Sequence, residues 1–120
     1  MEYQLNKHGV FVRPEQVEID KHVMISLAER KNKWYYGYIC NFSLSFSIQP
    51  CMEILTLGYN TRNEALKSAI NRLLYLLEGD LERNKNKDYY KLHNKRMCTC
   101  IRNLKDYLYN ISYLQLSLFD

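Results

Sequence analysis

Long apolar runs, glycine and proline are all scarce in this chain, and each scarcity removes a class of function. No stretch of 18 or more apolar residues occurs, so a membrane-crossing helix is not expected. Four glycines, none of them clustered, leave no glycine-rich loop to cradle a phosphate, which argues against nucleotide hydrolysis. The first twenty residues (MEYQLNKHGVFVRPEQVEID) contain neither the apolar stretch nor the small-residue cleavage site of a signal peptide. Residence in the cytoplasm of a bacterial host cell is therefore the expectation. In that compartment the four cysteines, Cys40, Cys51, Cys98 and Cys100, are expected as reduced thiols instead of a disulfide framework.

Catalytic and metal-binding patterns are missing as well. The Cys98-x-Cys100 spacing is wrong for a zinc knuckle, and Cys40 and Cys51 are distant in sequence. On a helix, residues two apart point about 200° from one another, so Cys98 and Cys100 cannot chelate one ion while the helix stays regular. His8, His22 and His93 lie in no recognisable nucleophile motif. No cofactor and no enzymatic activity are expected.

What remains is one compact domain of 120 residues, 47% apolar and 25% charged, spanning residues 1–120. Eleven tyrosines, eleven asparagines, ten lysines and eight isoleucines make up a third of it, a bias toward A/T-rich codons that suggests a low-GC genome or a mobile element. The formal charge of +4 is unevenly spread. From Arg83 to Asp106 eight basic residues face two acids, a local +6, and the rest of the chain sums to −2. Such a split points to a face aimed at something anionic, with nucleic acid first. A solvated helix face is the plainer alternative. A membrane surface fits poorly, because Asn, His and Tyr interrupt the lysines where a continuous apolar face would be needed.

Periodicity places strands first and helices second. Val10 to Val12 reads as a short edge strand, bracketed by Gly9 and Pro14. Val17 and Ile19, then Val23, Ile25 and Leu27, alternate as one half-buried strand. Arg30 to Lys33 reads as a polar turn, and Trp34 to Phe42 as a second strand with Trp34, Tyr36, Tyr38, Cys40 and Phe42 on one face. Leu44, Phe46 and Ile48 continue it, either as a bent extension or as a strand and loop, up to Pro50. A third strand is expected over Met52 to Leu57. Thr61-Arg62-Asn63-Glu64 has the form of a capping box that opens a helix over 61–83. Its apolar stripe is Leu66, Ala69, Ile70, Leu73, Leu74, Leu77 and Leu81. A basic helix over 88–112 follows, with Met97, Ile101, Leu104, Leu108 and Ile111 as its buried line, and 113–120 reads as a tail. The fold class is α+β, an antiparallel sheet of three to four strands within 17–57 followed by two packed helices.

Two groups of residues are candidates for binding. The basic helix and the polar connector before it interleave Lys85, Lys87, Lys91, Lys95, Arg96, Arg102 and Lys105 with Tyr89 and Tyr90. Lys91, Lys95 and Arg102 fall along one side and could follow a phosphate backbone. Trp34, Tyr35 and Tyr36 could stack on unpaired bases if one face of their strand were open, or serve as core if both were covered.

The C-terminal Gln115-Leu116-Ser117-Leu118-Phe119 resembles the short peptide by which bacterial replication and repair proteins bind the DNA sliding clamp. That resemblance implies a Gln side chain at the mouth of a groove, with Leu118 and Phe119 in an apolar pocket. Packing of the same residues on the domain's own sheet is the competing explanation. Lys33-Trp34-Tyr35-Tyr36-Gly37-Tyr38, with Gly58-Tyr59-Asn60-Thr61-Arg62-Asn63-Glu64-Ala65, is similar to a small β-β-α module of mobile-element proteins, and covers about a third of the chain. In size, charge asymmetry and lack of catalytic motifs the chain also resembles anti-CRISPR proteins encoded by phages and mobile elements. Two functions follow as expectations. One is a non-enzymatic inhibitor of a defence nuclease, foremost an RNA-targeting type VI effector, touching the effector or its guide RNA through the basic helix. The other is a DNA-metabolism accessory protein docked on the sliding clamp. The tyrosine-rich surface also suits a homodimer.

Overall fold

A computed structural model describes residues 3–42, 44–53 and 57–117, the side chains of 114–117 excepted. Its strands are β1 (Gln4–Leu5), β2 (Phe11–Val12), β3 (Glu15–Asp20), β4 (Val23–Arg30), β5 (Lys33–Phe42) and β6 (Ser45–Gln49). Its helices are α1 (Arg62–Asn84) and α2 (Lys91–Ser117), the latter preceded by a single 3₁₀ turn at Asp88–Tyr90. β3 to β6 form a four-stranded antiparallel sheet in sequence order, and β1 and β2 form a separate two-stranded ribbon. The chain is therefore an α+β fold. No helix among the described residues is long and apolar enough to cross a membrane.

The expected single strand over Val17 to Leu27 is in fact two. Asp20 breaks it: its Oδ1 accepts from the backbone N–H of His22 at 2.9 Å, a local bond that turns the chain at Lys21 and His22. The alternation survives the turn because Val17 lies opposite Ile25, so both halves still send apolar side chains to the same face. The next turn matches expectation. Lys31 and Asn32 both hold positive φ, 54° and 64°, and join β4 to β5 as the tight hairpins of right-twisted strands require.

The fourth strand also departs from the sequence reading. It is β6, with Phe42 opposite Ser45 and Ile39 opposite Ile48. Met52 makes only an isolated bridge to Val10, and Leu57 is fully exposed, so the strand expected at 52–57 is absent from the described part of that segment. Residues 54–56 lie outside the described residues. The Ser/apolar alternation of 44–48 was the stronger period-two signal, and it won. Gly37 explains how the chain leaves β6: a Cβ there would meet the backbone of Gln49, Pro50 and Cys51 at less than 3 Å, so only glycine lets that segment cross β5.

Both faces of β5 are covered at Tyr35 and Tyr36, which makes those two rings core. Tyr36 (7% exposed) joins Ile25, Leu27, Leu66, Ile70 and Leu73 between sheet and helices. Tyr35 (6%) faces the other way into a second, smaller core with Phe11, Ala28 and Cys51, roofed by the β1–β2 ribbon. No ring of that pair is free to stack on a base. Burial pushes the thiols of Cys40 and Cys51 up, to about 11 and about 12, and raises that of Cys100, so all three stay protonated and inert at neutral pH.

The helices follow their stripes closely. Thr61 caps α1, its Oγ1 accepting from the Glu64 N–H at 3.1 Å, while Glu64 Oε2 accepts from the Asn60 N–H at 3.2 Å. Leu66, Ala69, Ile70, Leu73 and Leu77 are buried, as are Met97, Cys100, Ile101 and Leu104 of α2. α2 runs five residues beyond the expected end at 112, through Ser117.

Candidate nucleic-acid interface

Two carboxylates turned inward set the orientation of α2. On the α1 side, Asp80 reaches His93 Nε2 at 3.4 Å and Arg83 at 3.3 Å. His93, 4% exposed, is wedged edge-on between the rings of Phe42 and Tyr90, with centroids 5.6 and 5.4 Å away. The Asn94 side chain donates to the Asn84 carbonyl at 2.9 Å, tying the first turn of α2 to the last of α1. On the sheet side, Asn103 donates to Asp20 Oδ2 at 2.8 Å, the same carboxylate that shapes the β3–β4 turn. These contacts hold one face of α2 against the protein and leave the opposite face in solvent.

The basic residues then separate by whether an acid already holds them. Lys85 pairs with Glu82 at 2.6 Å, Lys105 with Glu78 at 3.1 Å, and Arg83 with Asp80. Lys87 lies over the ring of Tyr90, 5.5 Å from its centroid. Lys91, Lys95, Arg96 and Arg102 are exposed, and none has an acidic group within 4 Å among the described residues. At a rise of about 1.5 Å per residue, Lys91 and Arg102 stand about 16 Å apart along one side of the helix, a span that several successive phosphates would occupy.

One wall of this face comes from the sheet. Asp20, Lys21 and His22 at the β3–β4 turn meet Leu92, Lys95, Arg96 and Thr99 around an open cleft of about 250 Å³. The His22 ring stacks on Phe42 with centroids 4.2 Å apart, and its Nδ1 donates to the Asn41 carbonyl at 3.0 Å. Lys21 was not among the residues singled out in the sequence. It lies far from the basic segment in the chain, and no local pattern links the two.

The remaining candidates are dispersed. Tyr89 is exposed beside Tyr90, their centroids 4.7 Å apart, at the entry to α2. Further along, Tyr109 and Tyr113 form an exposed stacked pair at 6.4 Å, which the sequence reading did not pick out although their four-residue spacing was a visible signal. Of the clamp-like peptide, Gln115, Leu116 and Ser117 have helical backbone as the last turn of α2, so an extended peptide there needs that turn to unwind. Leu118 and Phe119 lie outside the described residues. Cys98 is exposed and Cys100 buried, on opposite sides of α2. No protein-family model matches the chain, and neither does a curated protein or a solved structure.

Proposed function

We propose that this chain is a non-enzymatic binding protein that lays the outer face of α2 along a phosphate backbone, and that it acts as an inhibitor of a nucleic-acid-guided defence nuclease. The observation that carries this is the set of cations unpaired among the described residues on the solvent side of α2: Lys91, Lys95 and Arg102 along one line, and Arg96 about 100° round the helix from Lys95, where both line a cleft with Lys21. Cations that serve structure are found next to carboxylates, as Lys85 and Lys105 are. Leaving four side by side costs repulsion that an anionic partner relieves, with counterion release as the driving term. Lysines supply point charges and the two arginines supply forks that match phosphate oxygens. The size and charge asymmetry shared with anti-CRISPR proteins favour a guide RNA, or the channel that holds it, as that anion, with a type VI effector as the first choice.

The test is binding of labelled single-stranded RNA, duplex RNA and duplex DNA over a salt series, beside a Lys91→Ala/Lys95→Ala/Arg96→Ala variant. The expected result is a salt-dependent affinity, strongest for RNA, whose log–log slope falls by about 2–3 in the variant. Target cleavage by a guide-loaded type VI effector should fall on addition of the wild-type chain and not of the variant. Absence of binding at low salt would overturn the phosphate-backbone mechanism. Removal of Gln115–Asp120 leaves inhibition intact on this reading; its loss would move the function to clamp docking.

A further inference from the structure

The two edges of the sheet are built in opposite ways. β3 is guarded: Pro14 precedes it, Glu15, Glu18 and Asp20 lie along it, and its register shifts between Glu18 and Asp20. Each of these is a device that stops a foreign strand from adding. β6 has Pro50 directly after it but carries no charged residue and no register shift. Its five residues, Ser-Phe-Ser-Ile-Gln, pair with β5 on one side and with no described strand on the other. No charged residue occurs between Lys33 and Glu53.

The face beside this edge is apolar and uncovered. The β1–β2 ribbon roofs the outer sheet face only around Ala28 and Tyr35. Beyond it, Phe46 (62% exposed) and Ile48 (57%) stand in solvent next to the exposed Ile39, which is the cross-strand partner of Ile48. On the other side of the sheet the helices pack over β3, β4 and β5, so β6 overhangs them and its edge is open to approach.

We propose that β6 is the contact between two copies of this chain, paired antiparallel across a twofold axis at Ser47 so that two four-stranded sheets become one of eight. The strand is its own complement. With Ser47 opposite Ser47, Phe46 of one copy faces Ile48 of the other, twice, on the apolar outer face, and the serines share the opposite side. Charge supports the same occupant. The unpaired cations of α2 lie over β3, at the far end of the sheet, so dimerisation through β6 puts the two basic faces seven strand spacings, about 34 Å, apart. That exceeds the screening length of about 8 Å at physiological ionic strength, and the net positive charge does not oppose the contact. Five paired residues make a small interface beside the roughly 1,000 Å² of a stable one, so the affinity is expected in the micromolar range.

Sedimentation of the full chain over a concentration series tests this without reference to nucleic acid. Expected are a reversible monomer–dimer equilibrium and slowed amide exchange in β6 as concentration rises. Phe46→Lys/Ile48→Lys sets like charges opposite one another and should be monomeric throughout, with circular dichroism and melting unchanged because both side chains are solvent-facing. Mixing it with Phe46→Glu/Ile48→Glu should restore a heterodimer through opposite charges across the β6 edge. A wild-type chain that stays monomeric to millimolar concentration, a dimer that persists in Phe46→Lys/Ile48→Lys, or a mixture that does not associate would each overturn the proposal.

Discussion

The inner and outer faces of α2 come from one 27-residue segment, yet they obey different rules. On the inner face the polar side chains are tied to the protein: His93 reaches Asp80 through Nε2, Asn94 donates to the Asn84 carbonyl and Asn103 to Asp20, while His93 Nδ1 and Asn94 Oδ1 are buried without a partner among the described residues. Apolar Met97, Cys100 and Leu104 fill the space between them. On the outer side Lys91, Lys95, Arg96 and Arg102 have no acidic partner among the described residues. A buried polar group without a partner costs stability, whereas an exposed cation without one costs little and keeps its charge available. The helix thus divides its residues between holding the fold and meeting an anion, and substitutions on the two faces should separate stability from affinity.

The largest expected effect on stability lies on the inner face. Leu104→Ala empties a fully buried site against α1 and should cost about 3 kcal/mol, read as a lower urea midpoint with an unchanged slope. A loss under about 1 kcal/mol would mean that the two helices are loosely packed. Next comes Asp20→Ala, which removes the acceptor for both His22 N–H and Asn103 and should cost about 1–2 kcal/mol. Because that carboxylate joins the β3–β4 turn to α2, nucleic-acid affinity should weaken with it as Lys21 loses its place in the cleft.

A smaller effect belongs to the ion pair between β3 and the start of α1. Arg62 holds Glu15 through Nε to Oε2 and Nη2 to Oε1, both at 2.7 Å. The hydrogen bonds and charge of that guanidinium keep the Glu15 carboxyl below its usual range, against the opposing pull of burial. A carboxyl depressed in the folded state stabilises fully above its unfolded pKa, about 4.3, and the contribution fades as pH falls through the folded value. Both side chains are more than a third exposed, so Glu15→Gln should cost less than about 1 kcal/mol at neutral pH and nothing under strongly acidic conditions. Urea titrations across that range check the sign. The smallest stability change is expected for the outer-face triple Lys91→Ala/Lys95→Ala/Arg96→Ala, within about 0.5 kcal/mol, although it should have the greatest effect on binding. A triple variant that unfolds more easily than Asp20→Ala would refute the division of the helix.

The α+β class, the capping box at Thr61 and Glu64 and the buried lines of both helices were legible in the sequence. They depend on contacts between residues three or four apart, or on alternation, and such patterns are written locally. The turn at Lys21 was obscured because strands on either side of a tight hairpin keep their alternation, so Val17 to Leu27 scans as one strand. The roles of Tyr35 and Tyr36 were undecided for a different reason. Alternation puts them on opposite faces, but whether both faces are covered depends on the distant Phe11 and on the helices.

By itself, then, the amino-acid sequence determined the order and type of most elements and the concentration of positive charge after Arg83. Tertiary structure decided which of the charges on α2 are spent. Lys85 meets Glu82 locally, three residues away, but Lys105 finds Glu78 because the helices lie side by side, while Lys91, Lys95, Arg96 and Arg102 are turned from α1 by the inward pull of His93, Met97, Cys100 and Leu104. It also decided that Lys21 would join them and that β6 would end the sheet uncovered. Ion pairing and burial depend on distances through space, and a linear pattern fixes such distances only within a turn of helix or a pair of strand residues.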